Sequence, residues 1–181
     1  MKMNLANKLT ILRIFMIPVF MIFLLNKIPY GESIAALIFV IAALTDTLDG
    51  YIARKRNQIT TLGKFMDPLA DKLLVSAALI SLVQMGKLSA WVVVIIISRE
   101  FTISILRAVA AAEGVVIAAS WWGKAKTITQ IIAIIAILID NFPFRYIGVP
   151  MDQIMIFAAV IFTVVSGIDY LRLNKHIIMK E

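Results

Sequence analysis

The chain is 181 residues long, about one domain's worth, and 61% of it is hydrophobic while only 16% is charged. Soluble domains carry roughly 45–50% apolar and about 25% charged residues, so a mean hydropathy of +0.94 implies surface that faces lipid and excludes a large soluble domain. With 8 Gly, 5 Pro and no Cys, a collagen-like, disordered or disulfide-stapled secreted fold is excluded as well.

Residues 1–8 are predicted to form a short interfacial helix. Six apolar segments follow, at Leu9–Leu25, Ile34–Arg54, Gly63–Met85, Ala90–Ala112, Thr127–Ile139 and Ile154–Leu171. The breaks between them are Asn26-Lys27-Ile28-Pro29, Lys55-Arg56-Asn57, Gly86-Lys87, Glu113-Gly114 and the stretch from Asp140 to Pro150, each suited to a turn better than to a helix interior. A spanning helix takes ~20 residues, so the prediction is an all-α, polytopic membrane protein with six transmembrane helices. Continuous apolar runs rather than alternating ten-residue segments exclude a β-barrel. No small-x-small cleavage site follows Leu25, so the first segment is predicted to be retained rather than removed as a signal peptide.

Basic residues are retained on the cytoplasmic side. With the N-terminus inside, Lys2, Lys8, Arg13, Arg54, Lys55, Arg56, Lys64, Lys124, Lys126, Arg172, Lys175 and Lys180 fall at cytoplasmic ends, against Lys27, Lys87 and Arg145 outside. Both termini are therefore predicted to be cytoplasmic. The net charge of +7 has a membrane explanation, and no aromatic-studded basic stretch points to nucleic acid. Trp91, Trp121 and Trp122 are read as interfacial anchors, His176 as a solvated tail residue, and Asp169 receives no role.

Ionisable groups inside spans cost about 2.5–3.5 kcal/mol each at mid-span and usually face a polar cavity. The second segment holds Asp46 and Asp49, three residues apart; the third holds Asp67 and Asp71, four apart. Either spacing puts a pair on one helix face. A short connection predicts antiparallel neighbours, with both pairs near the cytoplasmic end. Four carboxylates in one pocket repel unless a cation compensates. The alternative is pairing with Lys64, Lys72, Arg54 or Arg99. A ligand set of oxygen alone suits Mg²⁺, Mn²⁺ or Ca²⁺ and argues against zinc. Gly50, Ala53, Gly63 and Ala70 remove bulk beside the acids. Pro68 either starts a helix capped by Asp67 or sits inside one that began near Thr61.

The pattern Asp46-x-x-Asp49-Gly50-x-x-Ala53-Arg54, eight residues, then Gly63-x-x-x-Asp67-x-x-x-Asp71 resembles the CDP-alcohol phosphatidyltransferase signature with no core position missing. Asn7-Lys8-Leu9-Thr10-Ile11-Leu12-Arg13, Ser98-Arg99-Glu100-Phe101 and Gly123-Lys124-Ala125-Lys126-Thr127 are similar to the family's bacterial phosphatidylglycerophosphate synthase branch, which often has Pro where this chain has Ala6. The resemblance implies one membrane domain over residues 1–181, a six-helix fold in the bacterial cytoplasmic membrane, and a homodimer. It implies transfer of a phosphatidyl group from CDP-diacylglycerol to the sn-1 hydroxyl of glycerol 3-phosphate, with release of CMP. Asp46, Asp49, Asp67 and Asp71 would hold Mg²⁺ or Mn²⁺ in a two-metal site, with Asp71 also the general base. Gly50, Ala53, Arg54, Gly63 and Asp67 would surround the CDP-diacylglycerol.

For the anionic acceptor, Arg107, Lys124 and Lys126 are the expected phosphate ligands. Arg99 either joins them or pairs with Glu100 or a third-helix acid. Two other readings stand beside this one: a sibling enzyme with a different acceptor, and a small cation-coupled transporter, which also carries intramembrane acids.

Overall fold

The structure is a computed structural model that describes residues 5–26, 28–55, 61–118 and 120–175, with side chains described over 7–26, 28–45, 66–118 and 120–175. Its order is α1 (Leu5–Leu25), α2 (Gly31–Lys55), α3 (Thr61–Gln84), α4 (Ala90–Ala112), α5 (Trp121–Leu138) and α6 (Met151–Leu173), with one 3₁₀ turn at Phe144–Ile147. No strand occurs among the described residues. Among the described residues two helices, Asn7–Leu25 and Met151–Leu173, are long and apolar enough to cross a membrane; the apolar part of α2 is the shorter Gly31–Thr45.

Two sequence expectations change. Residues 5–8 do not form a separate interfacial helix: they are the first turns of α1, because nothing between Lys8 and Leu9 breaks the helix and Asn7, Thr10 and Arg13 are buried at helical spacing. The fifth helix starts at Trp121 rather than Thr127. Ser120 is its N-cap, with its side-chain oxygen accepting from the Gly123 N–H, which satisfies a first-turn donor. Pro68 lies inside α3, which begins at Thr61.

The chain divides into two units, Met1–Lys87 and Leu88–Glu181. In the first, α1 packs along both α2 and α3, while α2 and α3 touch each other sparingly. The predicted contact between α2 and α3 is present among the described residues, and the helix that both share is α1. Its buried stripe runs Asn7, Thr10, Arg13, Ile17, Phe20, Leu24, polar over the first half and apolar over the second. Phe20 meets Phe39 of α2 with ring centroids 6.0 Å apart. At the far end, Glu32 in the first turn of α2 accepts from Lys87 at 2.5 Å, favourable also for the helix dipole.

Gly31 sets how closely α2 starts beside α1. A Cβ there would stand 2.4 Å from the Phe23 carbonyl oxygen, a backbone atom that cannot swing aside. Gly31→Ala is therefore expected to destabilise the protein by about 1–3 kcal/mol, the usual cost of overpacking. A lowered midpoint in detergent thermal unfolding checks it; an unchanged midpoint would show that α1 yields freely at this crossing.

In the second unit α6 packs against α4 and α5. Its buried face is Ala159, Thr163, Ser166 and Tyr170; the first three are small residues that let helices approach. Thr163 and Ser166 return their hydroxyl hydrogens to the helix's own carbonyls at Ala159 and Thr163. Helix α4 ends at Glu113, and Gly114 takes the left-handed conformation at φ +76°, which glycine adopts without steric cost.

Candidate active site

The first unit carries a pair of acidic residues. Asp67 and Asp71 sit one turn apart on α3, so they share a face. Asp67 is half-buried and Asp71 exposed. Thr10 of α1, with no exposed surface, donates its hydroxyl hydrogen to Asp67 Oδ1 at 2.5 Å. Pro68 has no N–H to give to the carbonyl four residues earlier, which adds a backbone oxygen to the polar surroundings. Among the described residues no group of three or more His, Asp or Glu gathers. Asp46 and Asp49 lie in the last part of α2, but their side chains, with those of Gly50, Ala53, Arg54 and Gly63, are outside the described residues.

The second unit carries a basic cluster built on Tyr170 of α6. The ring has the Arg107 guanidinium carbon 5.2 Å from its centroid and that of Arg99 at 5.6 Å, distances at which a cation is attracted to the π face. Its hydroxyl accepts from Arg107 and from the Ser120 N–H at 2.9 Å, and donates to the Ala118 carbonyl at 3.0 Å. One side chain thus joins α4, α6 and the segment leading into α5.

Arg99 packs against two glycines. A Cβ at Gly123 would come within 3.4 Å of its Nη2, and one at Gly167 within 3.4 Å of its Cγ. Lys126 of α5 is 1% exposed and pairs with Glu100, whose side chain keeps 25% of its surface. Lys124 is exposed. The structure therefore joins Arg99 and Arg107 at Tyr170, gives Lys126 the carboxylate next in sequence to Arg99, and leaves Lys124 on the surface. Asp169 and Tyr170 line an open cavity of about 380 Å³ together with residues 115–118, Ser120, Leu173 and Asn174. His176 is outside the described residues.

Tyr170 received no role from the sequence alone, Thr10 figured only within the family-like stretch Asn7–Arg13, and Glu100 only as an alternative partner of Arg99. A signal existed for Thr10, a polar residue at i+3 from Asn7 and i−3 from Arg13 on an otherwise apolar helix. Tyr170 had only the unexplained acid beside it.

A model of the CDP-alcohol phosphatidyltransferase family matches residues 3–165. The chain belongs to that family. It is 49% identical to the Bacillus subtilis CDP-diacylglycerol–glycerol-3-phosphate 3-phosphatidyltransferase, over 94% of this chain and 95% of the relative. It is 42% identical to the Haemophilus influenzae protein of the same name, over 97% and 95%. A Mycobacterium tuberculosis protein described as a probable phosphatidylglycerophosphate synthase is 40% identical, over 92% of this chain and 79% of its own. The family match takes in Met1–Lys87 almost entirely and most of Leu88–Glu181.

Proposed function

We propose that the chain transfers the phosphatidyl group of CDP-diacylglycerol to the sn-1 hydroxyl of glycerol 3-phosphate and releases CMP. Near full-length identity to relatives that bear this activity in their names carries the reading. The basic cluster at Tyr170 supports the acceptor, since an anionic alcohol needs fixed cations. Sibling enzymes with uncharged acceptors would have no such need.

Asp46, Asp49, Asp67 and Asp71 would hold Mg²⁺ or Mn²⁺, in a two-metal arrangement. The donor set is oxygen only, as hard cations require, and the described pair on α3 fits, with one carboxylate held by Thr10 and the other exposed. When bound, the cations offset the charge of the diphosphate and of the leaving CMP. Gly50, Ala53, Arg54 and Gly63 would admit the cytidine diphosphate beside Asp67. Asp71 takes the proton of the acceptor hydroxyl as its oxygen attacks the phosphorus that bears the diacylglycerol. The new P–O bond forms as the bond to CMP breaks, and CMP leaves with that electron pair. Arg99, Arg107, Lys124 and Lys126 would hold the acceptor's phosphate through charge-assisted hydrogen bonds.

The surrounding architecture is part of the same proposal: residues 1–181 form one membrane domain with six spans, both termini and the site cytoplasmic, and the protein is a homodimer in the bacterial cytoplasmic membrane. The asymmetry of Lys and Arg between the two sets of loops supports the orientation. A donor dissolved in lipid and an acceptor dissolved in cytosol can meet only near that interface.

The test is CMP release by purified, detergent-solubilised protein given CDP-diacylglycerol and a panel of acceptors. Glycerol 3-phosphate is expected to be the productive acceptor, over serine and inositol phosphate, with release restored by Mg²⁺ or Mn²⁺ after chelation. Undiminished release after bound metal is stripped would sink the metal assignment; a preference for another acceptor would sink the acceptor assignment.

A further inference from the structure

Half of the described serine and threonine hydroxyls inside these helices bond their own helix. Thr45, Ser104, Thr127, Thr129 and Thr163 each donate to the carbonyl four residues earlier, the habit of such residues mid-helix. Thr10 instead reaches across from α1 to the Asp67 carboxylate on α3. A hydroxyl hydrogen bonded to an ionised oxygen is among the stronger hydrogen bonds, with a usual O···O separation of about 2.5–2.7 Å. Here the separation is 2.5 Å and Thr10 has no exposed surface, so water does not compete for that hydroxyl.

We propose that Thr10 is a positioning residue for the metal site: its hydroxyl occupies Asp67 Oδ1, fixes the rotation of the carboxylate, and turns Oδ2 toward the cation. The inference rests on Asp67 being a metal ligand. A free carboxylate can rotate or offer both oxygens to one ion, whereas Mg²⁺ demands near-ideal octahedral geometry. Hydrogen bonds to a ligating carboxylate set that geometry, and losing one typically weakens metal binding or activity by about 10–100-fold. Because the donor comes from α1, the first helix becomes part of the metal site although it contributes no acid to it.

The experiment uses full-length, chelator-stripped protein in detergent, titrated with Mn²⁺ alone while electron paramagnetic resonance reads the free ion. Thr10→Val keeps the β-branched shape and removes the donor; it is expected to weaken Mn²⁺ binding by roughly 10–100-fold. Thr10→Ser restores the donor and is expected to return binding to near the wild-type value. In turnover, Thr10→Val should raise the half-saturating Mn²⁺ concentration while leaving KM for glycerol 3-phosphate at saturating Mn²⁺ unchanged, a split that general destabilisation would not produce. If Thr10→Val does not yield monodisperse protein, Thr10→Ala, which removes the same donor without added bulk, is read in its place. Wild-type Mn²⁺ affinity in the donor-less variant, with affinity lost in Asp67→Asn, would overturn the role of Thr10 while leaving the metal assignment intact. Wild-type affinity in Asp67→Asn as well would overturn both.

Discussion

Asp71→Asn is expected to lower turnover by about 10²–10⁴-fold, the range that a positioned general base contributes. The amide keeps the size and one oxygen of the carboxylate but cannot take the proton of the acceptor hydroxyl. Asp71 is the exposed member of the α3 pair, so the substitution removes no buried packing. Donor binding should therefore survive in good part, whereas Asp46→Ala should lose metal and CDP-diacylglycerol together. Binding of a donor analogue, measured beside single-turnover CMP release, separates the two effects. Equal loss of binding and turnover in Asp71→Asn would reduce this residue to a metal ligand and require another base.

The second large effect is expected at Lys126. A charge-assisted hydrogen bond to phosphate is worth about 1.5–3 kcal/mol, so Lys126→Met should raise KM for glycerol 3-phosphate roughly 10- to 150-fold at 1.4 kcal/mol per decade. The pairing with Glu100 supplies the control. If Lys126 serves only to neutralise Glu100, then Glu100→Gln and Lys126→Met should damage the enzyme alike. If it reads the acceptor, Glu100→Gln should leave KM far less affected, and the double variant should resemble Lys126→Met; the cycle measures the coupling directly. Arg107→Met belongs to the same series, with one difference. It also takes a donor from the Tyr170 hydroxyl, so part of its effect should pass to Arg99 through the shared ring.

Much of this protein was legible before any tertiary structure. Helix ends at Leu25, Ala112 and Leu138 fall at or within a residue of the expected positions, because Asn26, the Glu113-Gly114 pair and the turn that follows Leu138 act through local backbone preferences. The sharing of a face by Asp67 and Asp71 follows from 3.6 residues per turn and from nothing else. The start of α5 lies ahead of the expected Thr127 because Ser120 caps the helix there. Residues 5–8, expected as part of a separate interfacial helix, continue into α1 without a break.

The sequence by itself determined the all-helical class, the number of long helices, the two acidic pairs and the family signature, all properties of local periodicity and fixed spacing along one chain. Only the tertiary structure decided that α1 rather than α2 is the main neighbour of α3, that Thr10 closes on Asp67, that Tyr170 holds two arginines, and that Lys126 meets Glu100. The reason is physical. Lipid tails and neighbouring helices are equally apolar, so hydrophobic pattern cannot choose which helix packs on which. That choice falls to close approach at small residues such as Gly31 and Gly123 and to a few buried polar groups that must find partners, contacts between residues whose separation in the chain says nothing about their separation in space.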